Sequence, residues 1–136
     1  MKNNFFIIDT NTLISAFLFE YSTPKSAYDK AKRLGKISGS IETFEEFCDV
    51  FVRSKFDKYI TLETRLTIIN EFNELLVFKA ILEKITDCRD PKDNKFLELA
   101  ISANASCLIT GDKDLLILHP FRGIPILNAV DFINNF

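Results

Sequence analysis

Hydrophobic residues along this chain occur partly as short continuous runs and partly at helical spacing. Continuous apolar runs, which are typical of strands buried on both faces of a sheet, cover residues 5–8 and 107–110. A similar run at residues 124–127 contains Pro125, which predicts an edge strand because proline cannot donate a ladder hydrogen bond. Residues 37–40 form a weaker strand candidate.

Longer segments between these runs have the length and apolar spacing of helices. They are expected at residues 13–17, 25–34, 41–53, 61–72, 74–82, 90–101 and 129–136. Pro24 and Gly35 delimit the second of them, since proline favours the start of a helix and glycine its end. Strands that alternate with helices predict parallel βαβ units. We therefore expect one domain over residues 1–136 with an α/β fold, a three-layer α/β/α sandwich around a central, mainly parallel sheet.

Aspartates stand at several of the predicted helix starts. Asp90 and Pro91 fit the N-cap and the first helical position, and Asp93 follows three residues after the cap, where a carboxylate can complete a capping box. Asp9 and Asp112 also precede predicted helices. Taken one at a time, each of these residues is explained as a helix cap or a solvated helix start.

Taken together, the same aspartates have a second interpretation. Asp9 and Asp112 follow two strands, and ligands of open parallel sheets bind beyond the carboxyl ends of the strands. Serine or asparagine would cap a helix as well, yet the chain uses aspartate each time. Carboxylates at close range raise one another's pKa unless a cation is present. The pattern therefore favours a site for Mg²⁺ or Mn²⁺, whose preferred ligands are oxygens and which can promote phosphodiester hydrolysis.

Other kinds of site are disfavoured by what the sequence lacks. It has no GxxxxGKS/T loop and no GxGxxG motif for nucleotides. Asn11 stands where the haloacid-dehalogenase phosphatase motif has its second aspartate. His119 is the only histidine, which excludes a site built on several histidines. The three cysteines form no CxxC pattern, so reduced and buried thiols are expected.

The N-terminal apolar run is too short for a signal peptide, whose apolar core spans about 7–15 residues. No stretch approaches the roughly 18 apolar residues of a membrane span. We therefore expect a cytoplasmic protein that does not contact a membrane.

Four segments carry a resemblance to a known family: IIDTNTLISA, FEEFCDVFVRSKF, CRDPKDNKFLELAISANASCLITGDKDLL and IPILNAVDFI. They resemble, in order, the opening strand, an intervening acidic helix, the second half and the closing strand and helix of PIN-domain ribonucleases. The resemblance spans residues 6–133 apart from residues 57–84. Members of this kind occur as toxins in bacterial toxin–antitoxin pairs, the VapC-like proteins.

The resemblance implies a PIN-like fold and an endoribonuclease that uses Mg²⁺ or Mn²⁺ to hydrolyse RNA, with an antitoxin protein as partner. It implies catalytic metal ligands at Asp9, Glu46, Asp93 and Asp112, with Asn11, Thr110 and Asp114 as supporting polar groups. Helical periodicity does not choose among Glu42, Glu45 and Glu46. Glu46 is preferred because its spacing to the end of its helix matches that of the family.

Two hypotheses from other classes stay open at this point. One is a catalytically weak module of the same fold that binds nucleic acid or a partner protein, and the other is a metal-dependent phosphatase for small molecules. An apolar stretch with Phe72, Leu75, Leu76 and Phe78 also suggests a homodimer contact.

The charge balance looks unfavourable for nucleic acid at first, with a net charge of −2. Setting aside the four implied ligands and Asp114 changes that charge to +3. Basic residues form one cluster within residues 25–36 and another within residues 53–58. Either cluster is suited to an RNA backbone, and a solvated helix face explains them equally well.

Overall fold

Five parallel strands form the central sheet of the computed structural model, which describes residues 4–136. They are β1 (Phe5–Ile8), β2 (Lys36–Gly39), β3 (Val77–Phe78), β4 (Cys107–Ile109) and β5 (Ile126–Leu127). Their order across the sheet is β3-β2-β1-β4-β5, so β5 lies at an edge as its proline-containing sequence predicts. The α/β prediction with a parallel sheet is confirmed.

Seven α-helices flank this sheet within the described residues. They are α1 (Thr10–Leu18), α2 (Thr23–Leu34), α3 (Ile41–Phe51), α4 (Leu62–Leu75), α5 (Asn94–Ser102), α6 (Lys113–Leu116) and α7 (Ala129–Asn135). Short 3-10 helices occupy Ser54–Phe56 and Pro91–Asp93. Alternating residues of β1 point to opposite faces of the sheet. Phe6 and Ile8 pack with α1, α2, α3, α4 and α7, whereas Ile7 packs with α5 and α6. The three layers of the predicted sandwich are therefore present.

The order of the strands places a crevice between β1 and β4. The chain moves from β1 outward through β2 to β3, and then returns to the other side of β1 to form β4 and β5. Such a reversal of strand order is the point at which open α/β sheets bind ligands, beyond the carboxyl ends of the strands. Asp9 directly follows β1, and Thr110 directly follows β4. The fold thus brings the two carboxyl ends that the sequence singles out side by side.

The predicted helix over residues 74–82 is wrong. Helix α4 ends at Leu75, and Val77 and Phe78 pair in parallel with Ser38 and Gly39 of β2. A short apolar run does not by itself distinguish a helix from an edge strand, and here the pairing with β2 decides. Leu76 is buried in the core. Residues 79–90 contain no regular helix or strand.

The apolar stretch proposed for self-association is therefore not one helical face. Phe72 and Leu76 are buried, and only Leu75 and Phe78 keep substantial exposure, at 42% and 43%. A homodimer stays a prediction, now resting on a smaller apolar surface than the sequence suggests.

Three further expectations concern single residues and membrane spans. Cys88 and Cys107 are buried, Cys48 is half-buried, and all three are free thiols. His119 has a structural contact, since its Nδ1 accepts a hydrogen bond of 2.9 Å from the Ile126 amide. No helix within residues 4–136 is long and apolar enough to cross a membrane.

Candidate active site

An acidic cleft of about 340 Å³ opens beyond the carboxyl ends of β1 and β4. Its walls come from the start of α1, the middle of α3, the turn before α5 and the start of α6. The carboxylates that line it are Asp9, Glu46, Asp90, Asp93 and Asp112. The structure thus brings together all four acidic residues that the sequence resemblance implies, and adds Asp90.

Asp9 lies at the base of the cleft and is only 6% exposed. One carboxylate oxygen caps α1 by accepting a hydrogen bond of 3.0 Å from the Thr12 amide. The other accepts a hydrogen bond from the hydroxyl of Thr110, which is fully buried. Burial raises the pKa of the Asp9 carboxyl, although the bonds from Thr110 and Thr12 act in the opposite direction. Asp9 is therefore held in one orientation at the cost of carrying a desolvated charge.

Thr110 also fixes the neighbouring aspartate. Its hydroxyl accepts a hydrogen bond of 3.0 Å from the Asp112 amide. The Asp112 carboxylate caps α6 through Oδ1, which accepts from the amides of Asp114 at 2.8 Å and Leu115 at 3.3 Å. Thr110 therefore joins Asp9 to Asp112, and its role as a supporting group of a metal site stays a prediction.

Asp93 does not form the capping box that its position after Asp90 suggests. The helix starts with a 3-10 turn, in which the Asp93 amide donates to the Asp90 carbonyl at 3.0 Å. The Asp90 carboxylate instead accepts from the Lys92 amide at 3.1 Å. Oδ2 of Asp93 is buried and has no hydrogen-bond partner among residues 4–136. An unpartnered buried carboxylate oxygen is unusual in a folded protein and calls for an explanation such as an ion.

The pKa of the Asp93 carboxyl is raised, as its burial beside other carboxylates would lead one to expect. Burial raises the pKa of its carboxyl from 3.8 to about 6, and the negative charges of Asp112, Asp90 and Glu46 add to the effect. A cluster of like charges that raises a pKa in this way is stabilised by a proton or by a cation.

Glu46 is the glutamate of α3 that faces the cleft, whereas Glu42 and Glu45 are exposed outside it. Its Oε1 accepts a hydrogen bond from the Thr10 hydroxyl. Its Oε2 forms an ion pair with the ammonium group of Lys95, whose side chain is only 12% exposed. Lys95 was missed by the sequence analysis. It brings positive charge to the carboxylates from the first turn of α5.

The remaining two supporting residues differ in their roles. Asn11 is exposed and lines the cleft at the start of α1. Asp114 contributes through its backbone amide, which donates to Asp112. The structure therefore places Asn11 where it can contact a ligand and gives Asp114 a part in capping.

The donors of the cleft fit a metal ion in their chemistry but are not arranged as a finished metal site. Within residues 4–136, no three Asp, Glu, His or Cys side chains are arranged around a common point as metal ligands would be. The side-chain oxygens are instead engaged by Thr10, Thr110 and Lys95. The donors nevertheless suit a hard divalent cation, because they are all oxygens and because one oxygen of Asp93 is buried without a partner.

Lys95→Met should destabilise the metal-free protein by about 1 kcal/mol, because it removes the ion pair with Glu46. The loss is limited because Glu46 is 29% exposed, so solvent partly screens the ion pair. Methionine keeps most of the length of lysine but removes the charge that offsets Glu46. The freed carboxylate should then gain more from a cation, so Mn²⁺ should raise the melting temperature of the variant more than that of the wild type. Thermal unfolding in EDTA and in Mn²⁺ measures both effects. Lys36→Met, an exposed lysine at the start of β2, is the control, and identical melting of Lys95→Met and wild type in EDTA would contradict the prediction.

Comparison with known proteins gives three findings. A family model described as "PIN domain" matches residues 6–114, a range that contains Asp9, Glu46, Asp93 and Asp112. The uncharacterized protein MJ1680 of Methanocaldococcus jannaschii is 34% identical over 117 residues, which cover 83% of this chain and 74% of that protein. The fold is similar to that of a chain in the crystal structure of VapBC2 from Rickettsia felis bound to a DNA fragment from their promoter. That similarity has a TM-score of 0.60 at 15% identity and covers 91% of this chain and 98% of the other.

Proposed function

This chain belongs to the PIN-domain family, a family of nucleases, and we propose that it is a metal-dependent endoribonuclease. One observation carries the proposal. Four carboxylates from separate segments, Asp9, Glu46, Asp93 and Asp112, meet in a single cleft at the reversal of strand order. Helix capping alone does not require this convergence, and it leaves the buried oxygen of Asp93 unexplained.

In the proposed mechanism, Asp9, Asp93 and Asp112 would hold the cation, and Glu46 would complete the set of ligands. A bound Mg²⁺ or Mn²⁺ would supply positive charge for the scissile phosphate and for the attacking water. The chain itself provides orientation. Thr110 fixes the Asp9 carboxylate and the backbone of Asp112, so these two ligands need little rearrangement.

The choice of RNA over DNA rests on the resemblance of the sequence to PIN-domain ribonucleases. The same resemblance supports a role as the toxin of a toxin–antitoxin pair, with an antitoxin as inhibitory partner. The structural similarity to VapBC2, which was crystallised with DNA from its promoter, agrees with this role. Both assignments extend the proposal beyond the geometry of the cleft.

Purified protein should cleave RNA in the presence of Mg²⁺ or Mn²⁺, stop cleaving in EDTA, and recover when the metal is restored. The reason is that the cleft offers carboxylates but no histidine to act in the absence of a cation. The measurement is the rate of cleavage of a labelled RNA in each condition, with an aryl phosphate as a parallel substrate.

Three outcomes would contradict the proposal. Full activity in EDTA would exclude a metal-dependent reaction. Metal binding without cleavage of any RNA would favour the binding-module hypothesis. Hydrolysis of the aryl phosphate alone would favour a phosphatase.

A further inference from the structure

A buried arginine fastens the segment that joins α3 to α4. Arg65, in the first turns of α4, is 0% exposed. Its guanidinium donates hydrogen bonds to the carbonyl oxygens of Phe51 at 2.7 Å, Arg53 at 3.1 Å and Ile60 at 3.3 Å. It also forms an ion pair with the carboxylate of Asp57. One side chain therefore holds both ends and the middle of residues 51–60.

The segment 51–60 held by Arg65 contains a second arginine, Arg53, at the wall of the acidic cleft. Arg53 stands two residues beyond the end of α3, and it lines the cleft together with Glu46 and Val50 of that helix. Its side chain is exposed, and it takes part in none of the ion pairs found within residues 4–136. Lys95, in contrast, is committed to Glu46. Arg53 is thus a cation beside several carboxylates that pairs with none of them.

A cleft lined by carboxylates repels a polyanionic strand at short range, so a substrate needs cations at the rim. Arginine suits this task because its planar guanidinium can donate two parallel hydrogen bonds to a phosphate. The backbone carbonyl of Arg53 is itself a partner of Arg65. The backbone at Arg53 is therefore anchored by the buried guanidinium.

We propose that Arg53 binds a backbone phosphate of the substrate next to the carboxylate cleft, and that Arg65 is the positioning residue that sets Arg53 there. The proposal rests on the nuclease function proposed above. It adds the phosphate contact, which lies outside the set of candidate metal ligands.

The first test measures binding without cleavage. A short, fluorescently labelled single-stranded RNA is titrated with protein in EDTA at several salt concentrations, and the dissociation constant is read from anisotropy. Arg53→Gln should weaken binding about tenfold. The logarithm of the association constant falls with the logarithm of the salt concentration, and this dependence should become shallower by about 0.7, the value for one phosphate contact on a single strand. Arg53→Lys should keep the slope and recover part of the affinity.

The matched control is Arg122→Gln. Arg122 is exposed, lies outside both basic clusters, and stands just before β5 begins, at the amino-terminal ends of the strands and away from the cleft. This variant should bind as the wild type does. Wild-type affinity and slope for Arg53→Gln would overturn the proposal even if the protein cleaves RNA. An effect of Arg53→Gln on binding, in a protein that never cleaves RNA, would uphold the phosphate contact and overturn the nuclease function.

The second test separates positioning from a purely structural role. Arg65→Gln should make the salt dependence of RNA binding shallower, as Arg53→Gln does, although Arg53 itself is intact. The double variant Arg53→Gln/Arg65→Gln should bind no more weakly than Arg53→Gln alone, because coupled residues are not additive. If circular dichroism shows that Arg65→Gln does not fold, Arg65→Lys replaces it in the same comparison. Additive losses in affinity, or an unchanged slope in a folded Arg65 variant, would show that Arg65 does not act through Arg53.

Discussion

Asp9→Asn and Asp112→Asn should each reduce RNA cleavage at least about 100-fold, since even residues that only support metal ligands contribute 10–100-fold. Both carboxylates also cap helices, Asp9 toward Thr12 and Asp112 toward Asp114 and Leu115. Asparagine caps about as well as aspartate, so the caps survive the substitution. What is lost is one negative charge at the site that would hold the cation. The large effect should therefore fall on activity and spare the fold.

The measurement is the rate of RNA cleavage in Mn²⁺, with thermal unfolding of each variant as a check of the fold. Growth inhibition on expression, expected of a toxin, should disappear in the same two variants. Asp131→Asn is the matched control, because Asp131 is an exposed carboxylate in the first turn of α7. If either cleft variant cleaves RNA at the rate of Asp131→Asn, that residue is a cap and not a ligand.

Strands β1 and β4, and the carboxyl ends at which the site lies, could be predicted because their signals are local. Residues 5–8 form an uninterrupted apolar run, and the observed β1 has the same bounds. The run at residues 107–110 became β4, which ends one residue earlier at Ile109. Parallel pairing then follows from the alternation with helices, and it places Asp9 and Asp112 at one edge.

Helical periodicity alone does not choose among the glutamates of α3. Glu42, Glu45 and Glu46 fall within about one turn of helix, so only the resemblance to the family favoured Glu46. The rotation of α3 is set by Phe47 and Phe51, which are buried in the aromatic core between the sheet and α4. With those rings inside, Glu46 is directed into the cleft. This information lies in tertiary packing and not in the local pattern.

The two cations that shape the site left no signal in the sequence. Lys95 and its partner Glu46 are 49 residues apart, and Arg65 donates to carbonyls 5–14 residues away. Side-chain bonds to backbone carbonyls depend on where the chain turns, not on the identity of the accepting residue. A charged residue in an amphipathic helix is usually solvated, so the complete burial of Arg65 was not expected. The capping-box prediction for Asp93 was wrong for a related reason, because tertiary packing turned its carboxylate into the cleft.

Asp93→Asn should stabilise the metal-free protein at neutral pH, although most substitutions destabilise. Burial and the charges of Asp112, Asp90 and Glu46 raise the pKa of Asp93 from 3.8 to about 6. Because the folded-state pKa is raised, stability is fully present below the unfolded-state pKa of about 3.9 and is lost as the pH rises through about 6. The whole difference corresponds to about 3 kcal/mol, and partial exposure of Asp93 reduces the expected gain to about 1–2 kcal/mol.

Asparagine removes the charge and costs no cap, because the Asp93 side chain makes no capping hydrogen bond. Denaturant unfolding in EDTA from pH 4 to pH 7 measures the difference between variant and wild type, which should be near zero at pH 4 and reach its full size above pH 6. Mn²⁺ at a hundredfold excess over its dissociation constant should stabilise the wild type by about 2.7 kcal/mol and Asp93→Asn by less. A variant that matches the wild type at every pH and gains as much from Mn²⁺ would remove Asp93 from the proposed site. Asp131→Asn should show neither effect, since its carboxylate is exposed to solvent.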